Sequence, residues 1–195
     1  MTSIAHDSIA SSFQGLIYRV FQEGLSVNPD RGIAIAFVSA HQGAGTTFLA
    51  TRLTDTLHRS AVRPAVLLDC RRIVYGQDDA LYMPSTISAR PLFSHSSLVL
   101  QRGDWRANRD LRKQTLQILR SRFSYVLLDC PSLRESKDIL GLTTLVDGVV
   151  MVVEANKTSK SQLSHLERVL TDAGGRILGT MLNKRTYPIP SWFWQ

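Results

Sequence analysis

No apolar run in the sequence approaches the roughly 20 residues that a helix needs to cross a bilayer. The N-terminus also lacks the basic, apolar and small-residue order of a secretory signal. Both absences point to a cytoplasmic protein. Cysteine is scarce: Cys70 and Cys130 are the only two in 195 residues, too few for a disulfide framework. Each follows an aspartate at the end of an apolar run, and reduced core thiols are the expectation. A redox pair would require the two run ends to be neighbours. His6, His58, His95 and His165 have no metal-ligand spacing with cysteines or acids. No internal repeat, low-complexity tract, zinc spacing or aromatic-interleaved RNA motif is present.

Acidic residues are the minority, 16 Asp+Glu against 23 Lys+Arg, for a formal net charge of +7. Arginine concentrates between Arg102 and Arg122. Two readings stay open for it. One is a footprint for nucleic acid, anionic lipid or an acidic partner. The other is the solvated face of a helix.

The length fits one domain with a sizeable core. Ile9, Phe13, Leu16, Ile17, Val20 and Phe21 recur at helical spacing, so residues 1–30 read as an amphipathic helix and a linker. The domain proper then runs over 31–195. Short apolar runs at 33–38, 65–68, 125–128, 148–153 and 177–182 read as buried strands. Helices are expected after Gly45, over 107–121, over 132–145 and over 159–172, the last ended by Gly174-Gly175. Residues 71–104 read as an irregular connection with one short strand at 97–100. Alternating strands and helices give an α/β fold, three layers with a mainly parallel sheet. Ligands of such sheets bind at the carboxyl ends of the strands, where Asp69, Asp129, Glu154 and Asn183 fall.

The turn from Ala40 to Thr47, A-H-Q-G-A-G-T-T, lies between the first strand and its helix. In that context backbone N–H groups can cradle a phosphate, with Gly43 and Gly45 letting the chain approach. Thr47 is placed to offer its hydroxyl to Mg²⁺. Against the usual G-x-x-x-x-G-K-[ST], Ala40 replaces the first glycine and Thr46 the lysine. Alone, the turn reads equally as a tight strand-to-helix connection. Two distant strands favour the phosphate reading. The run 125–129, Y-V-L-L-D, ends in Asp129 like a Walker B element, and the run 66–69, V-L-L-D, ends in Asp69.

These segments resemble the cytoplasmic ATPase domain of bacterial tyrosine autokinases of capsule and exopolysaccharide synthesis, within the MinD/ParA-like P-loop ATPases. S-A-H-Q-G-A-G-T-T at 39–47 matches S-A-x-P-G-E-G-K-S. L-D-C-R-R at 68–72 stands where the family has a strand followed by D-x-D-x-R, and S-Y-V-L-L-D-C-P-S at 124–132 resembles D-Y-V-I-I-D-x-P-P. L-V-D-G-V-V-M-V-V-E at 145–154 and A-N-K-T at 155–158 follow A-D-G-V-V-L-V-V and A-G-K-T. The ending L-G-T-M-L-N-K-R-T-Y-P-I-P at 178–190 follows L-G-V-V-L-N-R-x-x-Y-x-I-P.

The resemblance implies a P-loop NTPase-like domain that takes ATP or ADP with Mg²⁺. Gly43, Ala44, Gly45, Thr46 and Thr47 would cradle phosphates, Asn183 would contact the adenine, Thr47 and Asp129 would hold the metal, and Asp129 and Asp69 would be catalytic. It also implies a polysaccharide co-polymerase (a membrane chain-length determinant) as partner, with homo-oligomerisation open, nucleic acid not expected, and a location at most peripheral to the inner membrane.

Four departures pull against catalysis. The lysine is Thr46, and the second acid of D-x-D is Arg71. The oligomerisation motif E-x-x-R-x-x-R falls on Ser11, Gln14 and Ile17, and the C-terminal tyrosine cluster is missing. Arg71, Arg72 or Lys157 are candidate substitute charges. His41 stands where other MinD/ParA-like proteins carry a signature lysine, and reads also as an exposed loop histidine. Trp192, Phe193 and Trp194 either cap the core or present an apolar anchor. The expected function is an accessory, catalytically impaired ATPase-like protein of exopolysaccharide synthesis with weak or absent nucleotide binding. An active autokinase and a ParA-like partitioning ATPase are the alternatives.

Overall fold

The computed structural model describes residues 31–60, 64–71, 81–82 and 108–185. The expected N-terminal helix, the strand at 97–100 and the Trp192–Trp194 cluster lie outside the described residues. Strand β1 (Ile33–Ser39) is followed by α1 (Thr46–Ser60), β2 (Ala65–Asp69) and β3 (Leu81–Tyr82). Then come α2 (Arg109–Arg122), β4 (Tyr125–Asp129), α3 (Leu140–Thr143), β5 (Gly148–Glu154), α4 (Lys160–Asp172) and β6 (Ile177–Asn183). The sheet order is β3-β2-β4-β1-β5-β6. Five strands run parallel, and the two-residue β3 pairs antiparallel at one edge. The expected α/β fold with a mainly parallel sheet is the observed one.

β1 is apolar at every position but the last because both of its faces are covered. Ile33, Ile35 and Phe37 join Leu49, Leu53 and Leu57 of α1 in one core. Ala34, Ala36 and Val38 face the other way and pack with Leu116 and Leu119 of α2 and Leu166 and Leu170 of α4. The sheet is therefore the middle of three layers. Its parallel registers bring Phe37, Asp69 and Asp129 level with one another, so the ends of β1, β2 and β4 open at one place.

Helix ends follow their sequence signals. Ser159 caps α4 with Gln162 in a reciprocal capping box, and Asn108 caps α2 by accepting from Leu111 N–H at 3.0 Å. Gly174 leaves α4 at φ +77°.

The helix expected over 132–145 is corrected: only Leu140–Thr143 is helical. Ser132 donates through its backbone N–H (2.9 Å) and its hydroxyl (2.7 Å) to Glu135, and the Ser136 hydroxyl donates to Asp138 at 2.8 Å. Such local side-chain bonds compete with the helical ladder.

The arginine-rich α2 is only partly a surface feature. Arg112 and Arg120 are buried, so the solvated-face reading fails for both. Arg120 donates to Leu145 O at 3.0 Å and to Asp147 Oδ2 at 2.9 Å. Asp147 also accepts from Ala34 N–H at 2.8 Å and from Arg31 at 2.9 Å. This pair ties α2 to the start of β1 and to the approach to β5. Burial pulls the Arg120 guanidinium down from its ordinary value, and Asp147 pushes it back up.

Candidate nucleotide site

The turn between β1 and α1 holds Gly43 at φ +83° and Gly45 at φ +93°, conformations that side chains disfavour. A methyl group on Gly45 would collide with Asn183 Nδ2, while one on Gly43 would meet open space. The first N–H groups of α1 have no partner within the helix, and no acidic residue stands in its first turn. That combination suits an anion. We expect Gly45→Ala to destabilise the domain by at least about 1–3 kcal/mol from backbone strain alone, checked by urea denaturation.

Two residues at the end of β6 hold this turn from outside. Asn183 Nδ2 donates to Ala44 O at 2.9 Å, and Lys184 Nζ donates to Gly43 O at 2.6 Å and to Glu154 at 3.1 Å. Asn183, which the resemblance places at an adenine, here contacts the turn between β1 and α1. Lys184 carries no signal in the sequence beyond standing next to Asn183.

His41 is buried, which corrects its reading as an exposed loop histidine. Its Nε2 lies 2.9 Å from Thr158 Oγ1, which in turn accepts from Glu154 N–H. Glu154, whose side chain is 12% exposed, pairs with both Lys157 and Lys184. Lys184 first, and then Lys157, hold its carboxyl below the usual range.

Thr47, Asp129, Asp69 and Arg71 converge at the ends of β2 and β4. The Thr47 hydroxyl donates to Asp129 Oδ2 at 2.5 Å. The Arg71 backbone N–H donates to Asp69 Oδ1 at 2.9 Å, and its guanidinium donates to Thr47 Oγ1 at 3.1 Å. The same guanidinium lies 3.7 Å from Asp129 and 3.9 Å from Glu135. Asp129 is fully buried, and its Oδ1 has no hydrogen-bond partner. Burial pushes its carboxyl up to about 6, while Thr47 and then Arg71 pull it back. Of the other substitute charges considered, Lys157 pairs with Glu154 at 3.3 Å, and Arg72 lies outside the described residues.

The strand ends carrying the cysteines are neighbours. Cys70 and Cys130 are free and buried with their sulfurs 3.8 Å apart. Burial lifts the Cys130 thiol well above its ordinary range. Buried thiols in apolar surroundings are inert, which agrees with the reading of both as core residues.

Thr47 and Asp129 are the residues from which a magnesium site would be built. Mg²⁺ demands near-octahedral oxygen ligands at about 2.0–2.1 Å. Here the Thr47 hydroxyl donates to Asp129, which by itself leaves its lone pairs free, but the Arg71 guanidinium donates to that same hydroxyl oxygen and faces the same carboxylate oxygen. This arrangement does not fit the ion. Among the described residues no group of three or more His, Cys, Asp or Glu side chains is placed to hold a metal, and no helix is long and apolar enough to cross a membrane.

No protein-family profile matches the chain. Over 66 residues, 34% of the chain, it is 32% identical to a Staphylococcus aureus protein described as "Putative tyrosine-protein kinase CapB". That match spans 29% of the relative's length. Among solved structures, the kinase domain of the Escherichia coli tyrosine kinase ETK superposes with a TM-score of 0.63 at 15% identity, over 95% of this chain and 78% of that one. The cell division protein MinD of Aquifex aeolicus gives 0.52 at 14%, over 80% and 70%. An Archaeoglobus fulgidus nucleotide-binding protein in complex with ADP gives 0.54 at 14%, over 91% and 74%. The chain thus has the P-loop-type α/β fold common to bacterial tyrosine-kinase domains and MinD, and part of it is related in sequence to a CapB-type kinase.

Proposed function

We propose that the chain is a nucleotide-binding regulator of exopolysaccharide or capsule synthesis that works without efficient phosphoryl transfer. The observation that carries this reading is Thr46, a buried threonine at the first residue of α1, where a loop lysine would stand. A lysine there supplies a charged hydrogen bond to the phosphates, whose loss costs about 1.5–3 kcal/mol, or roughly ten- to hundredfold in affinity. The transition state loses more, since a cation serving it can be worth about 10³–10⁵ in rate. Backbone N–H groups of the turn remain to hold a diphosphate or triphosphate weakly. The partner on this reading is a membrane chain-length determinant, engaged through a nucleotide-sensitive contact.

Titration with ATP tests it. Thr46→Lys is expected to bind ATP roughly ten- to hundredfold more tightly than the natural protein. The natural protein is expected to turn over ATP at background rate. Brisk turnover abolished by Asp129→Ala would overturn the reading, and phosphotyrosine appearing on the purified chain after incubation with ATP would establish the autokinase alternative instead.

A further inference from the structure

The corner that does not fit a metal ion is already filled by a cation of the chain itself. We infer that the Arg71 guanidinium replaces the divalent ion, so that the site takes the diphosphate of a nucleotide without metal; this rests on the nucleotide-binding reading above.

Three observations carry it. The guanidinium is fixed where the ion would sit, at 3.1 Å from Thr47 Oγ1 and 3.7 Å from Asp129 Oδ2. It is held there from both ends. The Arg71 backbone N–H is bonded to Asp69 at the close of β2, and Glu135, itself fixed by Ser132, stands 3.9 Å from the other terminal nitrogen. Finally, Arg71 Nε and Asp129 Oδ1 are both buried without hydrogen-bond partners. The corner thus keeps an unused guanidinium donor beside the N-terminus of α1. The Arg71 side chain remains about a quarter exposed, so solvent reaches part of it. A guanidinium is always charged and presents paired N–H donors that match phosphate oxygens. It can bridge Asp129 to a phosphate as a metal would, and its positive charge repels a second cation.

Calorimetric titration of the full chain with ADP, in EDTA and in excess Mg²⁺, tests this. The two affinities are expected to agree within about threefold. Arg71→Ala is expected to weaken metal-free binding at least tenfold, and Arg71→Lys, which keeps the charge without the fork, by an intermediate factor. Arg71→Asp is expected to make ADP binding depend on Mg²⁺ and to bind Mn²⁺ detectably by electron paramagnetic resonance, while the natural chain is expected to show no bound Mn²⁺. Thermal melts of each variant check folding, and the Lys variant carries the test should the Ala variant fail to fold. Natural protein whose ADP affinity rises tenfold or more with Mg²⁺ overturns this inference and leaves the nucleotide reading standing. Natural protein that binds no ADP in either buffer overturns both.

Discussion

Asp147→Ala is expected to lower the unfolding free energy by about 3 kcal/mol, the low end of the scale observed when one partner of a buried ion pair is removed, because Asp147 itself is about a quarter exposed. The reason lies in what remains. Arg120 is 7% exposed, and without Asp147 its charge keeps only the Leu145 carbonyl. The Ala34 N–H at the start of β1 loses its acceptor as well. The exposed bond from Arg31 contributes little, since surface pairs are typically worth less than about 1 kcal/mol. For a domain of this size the loss corresponds to a fall in Tm of about 10 °C, at about 2–4 °C per kcal/mol. Thermal denaturation of Asp147→Ala beside Arg31→Ala separates the two contributions. A fall of equal size in both variants would show that the buried pair is not the main contributor.

The opposite sign is expected at Asp129. Its carboxyl is raised from 3.8 to about 6, first by burial. The folded protein therefore binds this proton more tightly than the unfolded chain does. The stability that follows from it is complete below about pH 4, declines between about pH 4 and 6, and is absent above. A difference of one in pKa between folded and unfolded chain is worth about 1.36 kcal/mol, so the loss is roughly 3 kcal/mol. Asp129→Asn keeps the shape and an acceptor for the Thr47 hydroxyl but carries no charge. It is expected to be more stable than the natural protein by up to about 3 kcal/mol at pH 7.5, with the difference vanishing near pH 3.5. Chemical denaturation at the two pH values measures this directly, and a variant destabilised at pH 7.5 would contradict it.

Which parts of the molecule were legible in the sequence depended on whether the deciding contact was local. The five parallel strands announced themselves because both faces of the sheet are covered, which makes each strand continuously apolar. Asp69 and Asp129 were legible as run ends for the same reason. The two residues of β3 are too few to show a period. The segment 132–145 misled because its leucines are spaced like a helix, while Ser132, Glu135, Ser136 and Asp138 bond locally and break it. The burial of His41 depends on Thr158, 117 positions away, and that of Arg120 on Asp147, 27 positions away. Neither distance leaves a trace in composition or periodicity. The placement of Arg71 required the register of β2 against β4. The sequence named Arg71 as a candidate charge but could not say what it would touch.

The turn carrying Gly43 and Ala44 has its outer carbonyls bonded by Lys184 and Asn183, where β6 ends at the border of the sheet. Border strands open at lower free energy than central ones. Fraying of β6 would therefore release the turn along with it and couple the proposed nucleotide cradle to the margin of the sheet formed by the described residues. A molecule that steadies that margin would ready the cradle for its anion, and an anion seated in the cradle would in turn tighten the margin. By reciprocity of linkage the two effects are equal in free energy.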